Sequence, residues 1–211
     1  MSNKKDTFYN TWEEPKKKPY ALYIHGLGSG AKSGTKSSFG RYFDQYEWLS
    51  PEITHDPYES IDILNQWSEA FAPALVAGTS MGGMLALYVN APDAIKIAVN
   101  PTIEIEHVLR KIGYGKHPYL QERENGETEY VIDEQMIRRF ITFREEHTIL
   151  PGVRNIALFS TDDELVGKDI TKRNAGLLSE QGWEILWCSK FGHRVNEQAV
   201  KTILKHLTAE E

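Results

Sequence analysis

Ser80 stands at the centre of Gly78-Thr79-Ser80-Met81-Gly82, a G-x-S-x-G pentapeptide flanked by the apolar runs "PALVA" and "MLALYV". That spacing suits a nucleophile. On a strand-to-helix turn tight enough to need glycine at Gly78 and Gly82, the serine hydroxyl projects at the carboxyl end of a sheet, over the first N–H groups of the next helix. The hydroxyl needs a base to take its proton and an acid to orient that base. Both follow in chain order: "STDDELVG" begins at Ser160 and "SKFGHRVNEQ" at Ser189, each after an apolar run. His193 is the expected base. Of the adjacent Asp162 and Asp163, Asp163 is the expected acid, because Leu165 and Val166 would anchor its loop while Asp162 shapes the turn. His55, His107, His117, His147 and His206 hold no comparable position. No pair has H-x-x-x-H spacing with a matching glutamate, so no metal is expected.

A second segment competes for attention. "HGLGSGAKS", from His25 to Ser33, lies one residue from a Walker A loop, with Ala31 where the last glycine belongs. Gly26 to Ala31 also fits G-x-G-x-x-A, with Glu52 as a would-be ribose acid. Either nucleotide reading leaves the Ser80 turn unexplained. The polar "KSGTKSSFG" that follows also replaces the apolar helix expected beneath a pyrophosphate. A third reading uses the start of the loop: backbone N–H groups of Leu27 and Met81 as two oxyanion donors, with Gly26 and Gly28 allowing close approach. Lys32 and Ser33 then become solvent-facing rim residues.

These groups need a scaffold that gathers strand ends. From Tyr20 the chain alternates short apolar runs with helical patterns, which predicts a parallel sheet with crossover helices. Strands are expected near 20–25, 47–53, 73–78, 95–100, 155–160 and 184–188, and helices near 36–45, 60–71, 81–91, 168–181 and 195–208. Between Pro101 and Pro151 the rhythm breaks: two helices, 103–112 and 133–146, flank a charged, glycine-containing middle with no clear strand. An insertion this long between strands is expected to be a lid or binding element. Its Tyr114, Tyr119, Tyr130, Phe140 and Phe143 either line an acyl pocket or form a small core of its own.

The chain has 211 residues, 40% hydrophobic and 26% charged, which fits a single domain over 1–211 with a polar leader at 1–18. A net charge of −6 argues against a nucleic-acid partner, and the single cysteine, Cys188, excludes an internal disulfide. No apolar run approaches the roughly 20 residues of a membrane span, and the leader lacks an apolar signal segment, so a cytoplasmic location is expected.

"YIHGLGSG", "GTSMGGMLALY", "VNP", "TDDELV" and "FGH" resemble the alpha/beta-hydrolase superfamily, and more closely its small bacterial YqiA-like esterases, over residues 20–206. The resemblance implies a three-layer αβα fold and a Ser80–Asp163–His193 triad. It also implies cofactor-independent hydrolysis of a small acyl ester or thioester. A non-catalytic binding protein, or the same triad acting on amide bonds, is the competing expectation.

Overall fold

The computed structural model describes residues 17–209, so residues 1–16 of the expected leader lie outside the described residues. Six strands form one sheet: β1 (Tyr20–Ile24), β2 (Glu47–Leu49), β3 (Leu75–Thr79), β4 (Ile95–Val99), β7 (Arg154–Ser160) and β8 (Glu184–Cys188). Their order is β2-β1-β3-β4-β7-β8, and every neighbouring pair is parallel. Parallel neighbours require crossovers, and the helices that supply them cover both faces.

Side-chain alternation divides the core in two. Ala21, Tyr23, Leu75, Ala77, Ile97 and Val99 face one layer, where α1 (Gly34–Tyr42) contributes Phe39 and α7 (Glu197–Thr208) contributes Ala199, Val200 and Ile203. Leu22, Ile24, Val76 and Ala98 face the other. There α2 (Pro57–Phe71) brings Ile61 and Leu64, α3 (Met81–Ala86) brings Met84 and Leu85, and α6 (Lys168–Glu180) brings Ala175 and Leu178. The helix starts are locally encoded. Ser33, Asp56 and Asn196 each accept backbone N–H bonds at an N-terminus, and Pro57 occupies the first turn of α2.

The insertion differs from its sequence-based expectation. Between α4 (Ile105–Ile112) and α5 (Glu134–Glu146) lies an antiparallel hairpin, β5 (Gly115–Pro118) and β6 (Glu129–Ile132). Seven of its eight residues are exposed or half-buried, so no apolar alternation announces it. Arg144 ties α5 to α4 by a two-pronged bond to Glu106 at 2.8 and 2.7 Å. Phe140 and Phe143 are buried in the main core, as a packing role requires, while Tyr114 is exposed. At the far end of the insertion the buried Lys96 donates from Nζ to the carbonyls of Val89 and Leu150, and burial pushes its pKa down to about 8.

Packing around α3 sets a sharp test. A Cβ at Gly82 would lie 2.2 Å from the Ile24 carbonyl oxygen, against backbone that cannot yield. Gly82→Ala is expected to cost about 3 kcal/mol or prevent folding. Gly176, in the interior of α6 with open space where its Cβ would go, behaves oppositely: Gly176→Ala is expected to stabilise by about 0.5–1 kcal/mol. Urea denaturation of both variants checks the contrast.

Candidate active site

Ser80 adopts φ 56° and ψ −119°, one of three non-glycine residues with positive φ among those described. This is the turn that the pentapeptide predicts, and the glycines are sterically required. A Cβ at Gly78 would sit 2.1 Å from the Gly82 carbonyl oxygen. The turn lies where β3 ends and α3 starts, with Ser80 at the N-cap position of α3 and its hydroxyl making no capping bond to that helix.

The structure brings Ser80, His193 and Asp163 into one hydrogen-bonded row. His193 Nδ1 donates to Asp163 Oδ2 at 2.9 Å, which leaves Nε2 to accept from Ser80 Oγ at 2.8 Å. Burial works against the Asp163 carboxylate. The His193 hydrogen bond and charge, with N–H bonds from Val166 and Leu165, outweigh it and hold the pKa below the usual aspartate value. Asp162 is exposed, and its Oδ2 accepts from the Thr161 hydroxyl at 3.2 Å.

Several residues that hold this row were not singled out in the sequence. Asn100, also at positive φ, donates from Nδ2 to the carbonyls of Gly192 and His193 at 3.0 and 3.1 Å and accepts the Ser160 N–H at 2.8 Å. Ser160 Oγ donates to the Phe191 carbonyl, and Glu164 accepts the His193 N–H at 2.9 Å. The "VNP" after β4 was the available signal for Asn100. Nothing local marks Glu164.

The loop after β1 lies against Ser80. A Cβ at Gly26 would be 3.2 Å from the Thr79 carbonyl oxygen and 3.4 Å from Ser80 Cβ, so glycine keeps this approach open. Gly28 has φ 68° and is covered by the Tyr130 ring. The Leu27 and Met81 amides take part in none of the hydrogen bonds that tie these turns together. His25, 1% exposed, donates from Nδ1 to the Gly26 carbonyl and accepts the Ile53 N–H at Nε2. Two expectations need correction. Ser33 is buried rather than a rim residue, because it caps α1, and that helix starts at Gly34, directly after the glycine-rich loop. Lys32 is exposed.

A cleft of about 680 Å³ opens over Ser80 and His193. Its lining includes Ile105, Val108 and Ile112 of α4, Tyr130 of β6, Ser33, Thr35 and Ser38 at and within the start of α1, and Arg194. Of the aromatic residues flagged in the insertion, Tyr130 reaches this cleft. Other histidines are engaged away from it: His107 with Glu104, His117 with the Gly113 carbonyl, His147 with the Phe143 carbonyl and His206 with Glu184. His55 stacks on Tyr130. Glu104, Glu106 and His107 bring ligand-type atoms together, but Arg173 and Arg144 hold the two carboxylates.

A parallel sheet of this order, a serine on a strained strand-to-helix turn, and acid and histidine loops past the last two strands define the alpha/beta-hydrolase fold. The chain belongs to UPF0227, an uncharacterised protein family whose model matches residues 20–194. No curated protein matches it. Among solved structures, the fold is similar to mouse alpha/beta hydrolase domain-containing protein 10, with 12% identity and a TM-score of 0.66 over 92% of this chain and 90% of that one. It is similar to Est1E from Butyrivibrio proteoclasticus, with 16% identity and a TM-score of 0.64 over 93% and 89%. It is also similar to the monoacylglycerol lipase of Paleococcus ferrophilus, with 13% identity and a TM-score of 0.65 over 92% and 97%. At these identities the likeness is one of fold. No helix among the described residues is long and apolar enough to cross a membrane.

The buried histidines give the site an acid sensitivity. Burial, with the Arg123 charge nearby, lowers both His25 and His55 from 6.5 to about 4. Between those values the unfolded chain binds more protons than the folded one, so stability falls as pH drops from 6.5 to 4. His25→Asn, which removes one titrating group, is expected to flatten that fall by about 1.4 kcal/mol per pH unit. Urea-unfolding free energies measured across this range would refute the assignment if the variant and wild-type curves ran parallel.

Proposed function

We propose that this protein is a cofactor-independent serine hydrolase acting on carboxylic esters or thioesters. One observation carries the reading: the continuous row from Ser80 Oγ through His193 to Asp163, on a turn where backbone strain is retained. In this reading Ser80 attacks the acyl carbon as His193 Nε2 takes its proton. Asp163 keeps the imidazole in the tautomer that can accept it and stabilises the imidazolium. The Leu27 and Met81 amides receive the developing oxyanion, since fixed dipoles act there without reorganising. His193 then returns the proton to the departing oxygen or sulfur, and water releases the acid from the acyl-enzyme.

The mixed lining of the cleft supports this substrate class. Ile105, Val108, Ile112 and Tyr130 offer apolar surface for an acyl chain, and the Ser33, Thr35 and Ser38 hydroxyls suit a polar leaving portion. A volume near 680 Å³ fits a small substrate. The insertion, expected as a lid, supplies the apolar wall.

Ser80→Ala is expected to bring hydrolysis of p-nitrophenyl butyrate to background and to abolish labelling by a fluorophosphonate, with the thermal midpoint preserved. Asp163→Asn is expected to lower kcat by about 10⁴-fold, because the amide favours the wrong imidazole tautomer. Turnover that survives intact in Ser80→Ala would refute the reading.

A further inference from the structure

A loop built from Gly26, Gly28 and Gly30 has little intrinsic preference for one shape, so a fixed Leu27 amide needs outside support. Most of that support comes from two places. Glu52, just past β2, accepts the Ala31 N–H at 2.7 Å. The insertion supplies more, from β6 and from the connection between β5 and β6. The Leu120 N–H donates to the Gly28 carbonyl at 2.7 Å, and the Tyr130 ring covers Gly28. Arg123 reaches furthest in: its Nη1 donates to the Ser29 carbonyl at 2.9 Å and its Nη2 to the Ile53 carbonyl at 2.6 Å.

Arg123 is 5% exposed, unusual for a guanidinium on a surface insertion. Its charge is met by Glu52 Oε2 at 2.6 Å, with Arg123 buried and Glu52 half-buried, so removal of either partner leaves a poorly solvated lone charge. His25 stands next to both, 3.8 Å from Glu52 and 3.4 Å from Arg123 Nη1. A neutral His25 bonded to the Gly26 carbonyl completes the enclosure, so the carboxylate's charged partner is Arg123. A planar fork is required here. Nη1 serves the Glu52 carboxylate and the Ser29 carbonyl while Nη2 reaches the Ile53 carbonyl, two donor points on one rigid plane that the single nitrogen of a lysine does not reproduce.

We propose that Arg123 is a positioning residue for catalysis: through Glu52 and the Ser29 and Ile53 carbonyls it clamps the loop that aims the Leu27 amide at the oxyanion. The proposal rests on the hydrolase reading above and extends it to the insertion. Docking of residues 119–123 and assembly of the oxyanion site become one event. An insertion that swung away as a whole would carry Arg123 and Leu120 with it and release the loop. The insertion therefore belongs to the catalytic apparatus as a fixed clamp. Substrate enters past it, between the α1 side and the α4 side of the cleft.

Three variants of the full chain test this: Arg123→Lys, Arg123→Met, and the charge-free pair Glu52→Gln/Arg123→Met. The pair folds even where the lone carboxylate of Arg123→Met proves too costly. Fluorophosphonate titration counts active sites, so that kcat for p-nitrophenyl butyrate is expressed per competent Ser80. The expected result is a 10- to 100-fold loss of kcat per titrated site with KM within twofold, and Arg123→Lys giving no full rescue. In parallel, hydrogen–deuterium exchange over residues 25–31 is expected to accelerate at least tenfold while residues 78–84 exchange as in wild type. Wild-type kcat per titrated site would overturn the proposal, reducing Arg123 to a stability role. Unchanged exchange over 25–31 would overturn it equally. A wild-type protein that neither labels nor turns over would sink the hydrolase reading itself. The exchange result would then decide separately whether Arg123 holds the loop.

Discussion

Two stretches of backbone meet with no side chain between them at Gly82, where the first turn of α3 presses against the Ile24 and His25 carbonyls at the end of β1. The rest of the site depends on that contact. It fixes the distance between the Ser80 turn and the loop after β1, and therefore the gap that a reacting carbonyl would occupy. Gly78 repeats the device inside the turn, where a methyl would collide with Gly82 itself. The strain carried by Ser80 at φ 56° persists because the neighbouring backbone is locked on both sides.

Around this contact the loops are secured by polar groups buried in pairs. Asn100 is the clearest case, joining the end of β4 to the start of the Ser160 loop and to the carbonyls that flank His193. Glu52 and Arg123 play the matching part on the opposite side of Ser80. Each group satisfies two or more segments at once. An irregular loop gains the rigidity of a sheet in this way, because an unmade bond at such a depth is costly.

Much of this was legible beforehand. The strands of the sheet were located within a few residues of their observed bounds, most clearly the central ones, because parallel strands buried on both faces must be apolar on both. The Ser80 turn was legible because its glycines are imposed by local geometry. The order Ser80, Asp163, His193 followed from where strand ends fall, and Leu165 and Val166 pointed to Asp163, whose carboxylate their N–H groups do hold. The hairpin of the insertion was not legible, because a strand with both faces near solvent carries no periodicity. Glu52 and Arg123 were hidden for a different reason. They lie 71 positions apart in sequence, and an ion pair between distant segments leaves no local pattern. Ser33 was grouped with Lys32, which is exposed; its burial follows from capping α1.

The order of strands also has a meaning in time. β1, β2, β3 and β4 are mutual neighbours at one side of the sheet, while β7 and β8 extend the other edge. Synthesis from the N-terminus therefore delivers Ser80 and the glycine-rich loop first, within a half that can pair its own strands. Asp163 and His193 arrive later, after a 54-residue connection between β4 and β7 has closed. Until β8 docks, the loop that carries His193 is not in place and Ser80 lacks its hydrogen-bond partner. The row of Ser80, His193 and Asp163 is therefore completed only by the last strand in the chain.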